Sequence, residues 1–166
     1  LVDNAMQKKE KHIPEIDDEL AIRYFSDLQK TCFSYGLTSL HDCGISEETL
    51  ELLEKAQSQN VLKMKIFAVM KDDPDYYDRW IKKGRYTNKN ITVGGFKVYS
   101  DGALGSRGAC LNHDYADKKG WKGFLLSDRK HFEDLAKKLK NSNLQMCTHA
   151  IGDSANRTIL QIYGEV

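Results

Sequence analysis

Hydrophobic positions fall into two alternating patterns along the chain. Leu20, Tyr24, Phe25, Leu28, Cys32 and Phe33 recur at helical spacing and predict a helix over 17–35. Asp17, Asp18 and Glu19 suit its N-terminus, and Gly36 suits its end. A strand follows over 37–43. Ser46 is a candidate N-cap, with Glu47 and Glu48 in the first turn and Leu50, Leu53 and Ala56 as the buried stripe. A second strand runs over 62–70. Pro74 opens a helix that Gly84 stops. The third strand covers 91–100 and leads into an irregular, glycine-rich stretch over 101–126. Phe132, Leu135, Ala136 and Leu139 mark a helix over 131–140. The fourth strand covers 144–149, and Asp153 caps a last helix carrying Ile159, Leu160 and Tyr163.

Strands that alternate with helices in this way imply a parallel sheet with crossover helices. Two architectures share that order, an open doubly wound sheet and a (β/α)₈ barrel. Central strands of an open sheet are covered on both faces and read as continuous apolar runs. Here Phe96 and Val98 alternate with Lys97, Tyr99 and Asp101, while Leu144, Met146 and Thr148 alternate with Gln145, Cys147 and His149. Ser39, His41 and Cys43 alternate with Leu40 and Asp42 in the first strand. One face is apolar and the other carries ionisable groups toward the C-terminal strand ends, as the inside of a barrel does. Eight strands and about 250 residues make a whole barrel. Four strands in 166 residues predict a single α/β domain over 1–166 that forms about half of one, with two open sheet edges through which copies could associate.

Lys+Arg number 25 and Asp+Glu 24. That balance argues against a nucleic-acid-binding role. No apolar run approaches the roughly 20 residues of a membrane span. The four cysteines are too few and too spread for a disulfide scaffold or a zinc cluster. They read as buried thiols and point to a reducing, cytoplasmic setting. Leu1 instead of Met at the start, and a helical end without a stop signal, predict a segment with cut ends.

Lys97 interrupts an apolar strand. It is either an exposed or snorkelling side chain or an amine aimed into an active-site mouth. A neutral lysine amine can take up carbon dioxide as a carbamate, whose oxygens bind metal ions as a carboxylate does. His149 ends the fourth strand, where a barrel places a metal ligand; a hydrogen-bonded structural histidine is the other reading. His41 is placed similarly and is either a pocket residue or a structural donor. In the segment Ser100-Asp101-Gly102-Ala103-Leu104-Gly105-Ser106-Arg107-Gly108-Ala109 the glycine spacing fits neither the dinucleotide fingerprint nor the P-loop. A loop shaping a site mouth fits better, with Arg107 able to hold an anionic or carbonyl group. Lys137, Lys138 and Lys140 read as a solvated helix end, and Trp80 and Trp121 as packing residues.

The run from Lys97 through Ala109 resembles the fourth-strand signature of the amidohydrolase superfamily, in the branch known as amidohydrolase family 3, which includes N-substituted formamide deformylases. Thr148-His149-Ala150-Ile151-Gly152-Asp153-Ser154-Ala155-Asn156-Arg157 resembles the fifth-strand signature. Gly36-Leu37-Thr38-Ser39-Leu40-His41-Asp42-Cys43-Gly44 resembles the second strand, and the similarity runs from Leu1-Val2-Asp3-Asn4-Ala5-Met6 onward. The resemblance implies strands two to five of a (β/α)₈ barrel. It also implies a metal-dependent hydrolase of carbon–nitrogen bonds other than peptide bonds, acting on a small-molecule amide such as an N-substituted formamide. A divalent metal, zinc by preference, would be held by His149 and by Lys97 as its carbamate. His41, Asp101 and Arg107 are the candidate substrate-binding residues. The superfamily's first-strand His-x-His pair does not occur in the chain, and its sixth-strand His and eighth-strand Asp would lie beyond Val166. The segment alone is therefore expected to bind metal weakly or not at all and to be inactive. Two other readings are a non-catalytic half-barrel that pairs with itself or binds a small molecule, and a doubly wound domain binding a nucleotide at the Gly105 loop.

Overall fold

The computed structural model of the chain describes residues 16–166. The readings made on Leu1 through Met6 lie outside the described residues. Helix α1 (Asp18–Ser34) starts where the Asp17 carboxylate accepts the Leu20 amide at 2.8 Å, and β1 (Ser39–Ile45) comes after it. Ser46 Oγ accepts the Thr49 amide at the start of α2 (Glu47–Ser58), and β2 (Lys65–Met70) comes next. In α3 (Pro74–Lys83) the proline stands at the first turn, and Gly84, at φ +69°, closes the end with its amide on the Trp80 carbonyl. Then come β3 (Tyr86–Asn88), β4 (Ile91–Tyr99), α4 (Arg129–Asn141), β5 (Gln145–His149) and α5 (Asp153–Glu165).

Strands β1, β2, β4 and β5 lie side by side in that order and all run parallel. The short β3 pairs antiparallel with the first residues of β4, while β5 pairs with its later half, from Gly95↔Gln145 to Tyr99↔His149. All five helices of the described residues contribute to one core on one face of this sheet. Ile22, Leu53, Trp80, Phe132 and Ile159 pack there with Ile66, Ala68, Phe96 and Val98 from the strands. A doubly wound sheet would carry helices on both faces. One covered face and one polar face are the wall of a (β/α)₈ barrel, and the fold is a partial barrel of four parallel strands with their helices.

Two irregularities set which side chains reach the inner face. Ala68 pairs with Val93, but Val69 pairs with Gly95, so Gly94 is an extra residue in β4. Side chains on a strand alternate between faces, so without that bulge Lys97 would share the helix-covered face of Ile91 and Val93. With it, Ile91, Val93, Phe96 and Val98 all enter the core and Lys97 turns inward. Gly44 does the same in β1, where the register shifts between Cys43 and Ile45. Cys43 remains on the open inner face and Ile45 is buried in the core.

The structure corrects four expectations. The three-residue β3 was not expected. Helix α4 begins at Arg129 because the Asp128 carboxylate caps it through the His131 amide. Gly152, not Asp153, holds the N-cap position of α5; the Asp153 carboxylate reaches sideways to the Asn112 amide and side chain. Of the cysteines only Cys32 is buried; Cys110 and Cys147 are partly buried and Cys43 is exposed, because positions 43 and 147 face the uncovered inside of the sheet.

Candidate active-site cleft

At the C-terminal ends of β4 and β5, parallel pairing sets Lys97 level with Cys147 and Tyr99 level with His149. All four side chains project to the inner face. Tyr99 contacts both expected ligands: the Lys97 ammonium stands 5.0 Å from the centre of its ring, and the His149 imidazole centre is 5.5 Å away on a 43° tilt. Lys97 is only partly buried and has no carboxylate at ion-pair distance among the described residues. Burial pushes the neighbouring Cys147 thiol above its ordinary pKa; Cys43 adds to this and Lys97 opposes it.

The stretch over 101–126 is a closely tied wall. Gly102 and Ala103 bond back to Gly108 and Ala109, Leu111 donates to Lys122, and Leu126 returns to the Ser100 carbonyl. The segment around Cys110 runs so close to its neighbours that a β-carbon on Gly123 or on Gly152 would stand 1.9 Å from the carbonyl oxygen of Ala109 or Cys110. With the strand ends this wall encloses a cleft of about 890 Å³, lined by His149, Tyr99, Arg107, Trp121 and Phe124 among others. The Trp121 indole N–H donates to the Arg107 carbonyl at 2.8 Å, which fixes the ring in the wall.

The expected substrate-binding residues meet different fates. Arg107 lies on the cleft with φ at +61° and forms a two-pronged pair with Asp117, whose carboxyl it holds below the ordinary value. Asp101 also borders the cleft, but it is 1% exposed and its oxygens are already occupied by backbone amides. Oδ1 accepts from Ile151 at 2.9 Å, and Oδ2 accepts from Gly152 and Cys110 at 2.8 Å each. Contact between Asp101 and a substrate is not what this geometry provides. His41 stands lower on the inner face, its ring 4.9 Å from that of Phe67, beside a separate hollow of about 200 Å³. Tyr99, Trp121 and Phe124 are cleft residues that the sequence pattern does not assign to the site.

An imidazole at a strand end and an amine on the neighbouring strand fit two positions of a metal site, the amine only as a carbamate. Among the described residues no group of three or more His, Cys, Asp or Glu side chains is placed to hold a metal ion.

A sequence model of the amidohydrolase family, branch 3, matches residues 1–166, the whole length given. The chain belongs to the amidohydrolase family. YtcJ of Bacillus subtilis (strain 168), which carries amidohydrolase in its name, is 25% identical over 165 residues, covering 96% of this chain and 31% of YtcJ. LONG AFTER FAR-RED 3 of Arabidopsis thaliana is 34% identical over 89 residues, 54% of this chain and 15% of that protein. The crystal structure of an uncharacterized metal-dependent hydrolase from Pyrococcus horikoshii OT3 superposes with a TM-score of 0.84 at 25% identity, over 98% of this chain and 34% of the other. Its counterpart from Pyrococcus furiosus gives a TM-score of 0.84 at 24% identity, over 98% and 35%. This amidohydrolase-family chain thus spans about a third of the length of YtcJ and of the two archaeal structures.

Proposed function

We propose that this chain contributes part of the active site of a cytoplasmic, metal-dependent hydrolase of small-molecule amides, cutting carbon–nitrogen bonds other than peptide bonds, N-substituted formamides among them. The observation that carries the reading is the row Lys97–Tyr99–His149 at the C-terminal end of two parallel strands, in a chain matched along its whole length by the amidohydrolase family. His149 and the carbamate of Lys97 would hold a divalent ion, zinc by preference. Such an ion lowers the pKa of bound water from 15.7 toward about 7 and polarises a carbonyl. The chain's own residues do the rest of what lies within these strands. The Tyr99 ring packs against both the lysine and the imidazole and holds them on one face. Arg107, reached by releasing Asp117, offers a guanidinium to a carbonyl or anionic group of the amide. The tied wall with Trp121 and Phe124 shields that side of the cleft from water. Residues 1–166 taken alone supply two ligands and, on this reading, do not turn over substrate.

The test is metal content and amide hydrolysis of the whole protein carrying Lys97→Ala or His149→Ala. Each variant is expected to lose bound zinc and at least about 100-fold in turnover, beyond the 10- to 100-fold typical of residues that merely support a ligand. Full zinc content and turnover in both would dismiss the assignment. A second reading, self-association of a non-catalytic half-barrel, draws on the outer edges of β1 and β5, unpaired among the described residues, and on the exposed Tyr35, Leu37 and Leu160. Light scattering of the purified chain decides it: a dimer supports it and a monodisperse monomer removes it.

A further inference from the structure

We propose that Ser100 and Asp101 are positioning residues that set the His149 imidazole for metal binding; this rests on the ligand role of His149 proposed above. The ladder between β4 and β5 ends at Tyr99↔His149. A histidine on the last rung of a ladder has its backbone fixed on one side only. The next two residues of β4's chain supply what is missing. Ser100 donates twice to the His149 carbonyl, from its amide at 2.9 Å and from Oγ at 2.6 Å. Asp101 then accepts the Ile151 and Gly152 amides, so the chain is gripped at the histidine and again two and three residues later.

The third bond of Asp101, from the Cys110 amide, ties the cleft wall to the same point. Cys110 in turn accepts the Ser154 and Ala155 amides with its carbonyl, and Asn112 donates to Asp153. The turn carrying His149 into α5 is thereby locked between β4 and the wall. Ser100 and Asp101 are 0% and 1% exposed, which shields these bonds from bulk water. A carboxylate accepting three amides holds them more firmly than a neutral acceptor would, since hydrogen bonds to a charged group are about twice as strong. Outer-shell groups that orient a metal-binding histidine through its ring are typically worth 10- to 100-fold in affinity without touching the ion; Ser100 and Asp101 orient it through its backbone instead.

Zinc dissociation constants decide the matter, measured on the whole protein by competition with a chelator for wild type, Asp101→Asn, His149→Ala and the double variant. Asp101→Asn is expected to weaken zinc by about 10-fold, the low end of what ring-bonded outer-shell partners contribute. The double variant is expected to bind no more weakly than His149→Ala alone, because Asp101 acts through the imidazole. An unchanged affinity in Asp101→Asn, or losses that multiply in the double variant, overturns the proposal while leaving His149 a ligand. An unchanged affinity in His149→Ala overturns the ligand assignment and this proposal together. Should Asp101→Asn fail to fold, Ser100→Ala removes only the hydroxyl bond. It is expected to weaken zinc several-fold with the same lack of additivity against His149→Ala, and wild-type affinity there counts against the proposal.

Discussion

The ring of Phe67 occupies the space that a side chain at Gly94 would need: a β-carbon there would stand 2.1 Å from Phe67 Cζ. The obstacle is the tip of a side chain, which can rotate. At Gly152 the obstacle is the Cys110 backbone carbonyl, 1.9 Å away, which is held by the α5 amides. Gly94→Ala is therefore expected to cost about 1–3 kcal/mol, the usual range for overpacking, and Phe67→Leu in the same chain should recover part of it. Gly152→Ala should cost more than Gly94→Ala and find no single-site rescue. Urea unfolding midpoints of the three variants check the order.

Gln29, on α1, is 7% exposed and ties down the connection between α2 and β2, donating to the Val61 carbonyl and accepting the Lys63 amide. Truncation leaves two backbone groups without their partner. Gln29→Ala should destabilise by about 2–4 kcal/mol, a penalty of about 1–3 kcal/mol for each unsatisfied group less what water recovers. Denaturant unfolding measures it; a loss under about 0.5 kcal/mol would show that water takes over both bonds.

The cysteines should react in a fixed order. Cys43 is exposed on the inner face, Cys147 is half-covered with its thiol pushed up chiefly by burial, and Cys32 is buried in the core. Only the thiolate is nucleophilic. Iodoacetamide at neutral pH should label Cys43 first, Cys147 more slowly and Cys32 only on unfolding, as read by mass spectrometry over time. Carbamylation or substitution of Lys97 removes the cation that opposes the Cys147 shift, so Lys97→Ala should slow Cys147 further.

Alkaline conditions should destabilise the fold through Tyr77. Burial, and then its hydrogen bond to Asp72, raises the phenol well above its ordinary value of 10.0. The unfolded chain loses this proton near pH 10 while the folded chain keeps it, so the unfolded state binds fewer protons and stability falls as pH rises. The contribution is fully present below pH 10 and disappears on the way to the folded pKa. Thermal unfolding of wild type and Tyr77→Phe between pH 8 and 11 checks this: the wild-type curve should drop more steeply above pH 10.

Most of the fold could be read from alternation, because one face of each strand meets helices and the other does not. Ile91 and Val93 are odd-numbered while Phe96 and Val98 are even, and the two glycines between them mark the slip that the structure shows. Alternation loses its hold past the end of a ladder. Asp101 continues the parity of Lys97 and Tyr99, which suggested an inward side chain. The strand stops at Tyr99, so parity no longer governs position 101, and the carboxylate turns to the amides of the next turn. β3 has three residues, too few for a period to emerge. Trp121 and Phe124 sit in a stretch whose shape depends on hydrogen bonds between backbone groups, and backbone groups leave no trace in residue type. The inward placement of Lys97 and His149 was legible because both lie within regular pairing.

The single extra residue at Gly94 also governs how this chain can change over time. Between Val93 and Phe96, losing or gaining one residue would exchange inside for outside along the rest of β4, driving the Lys97 amine into the helix-packed core and exposing Phe96 and Val98. Losing or gaining two would preserve the faces but shift Lys97 out of level with Cys147. Length variation at this point is therefore closed to any descendant that keeps the Lys97–Tyr99–His149 row, while point substitution elsewhere on the strand remains open. Among lineages sharing this fold, the spacing from the end of β3 to the lysine should be the most conserved interval in the sheet, even where the residues themselves have diverged.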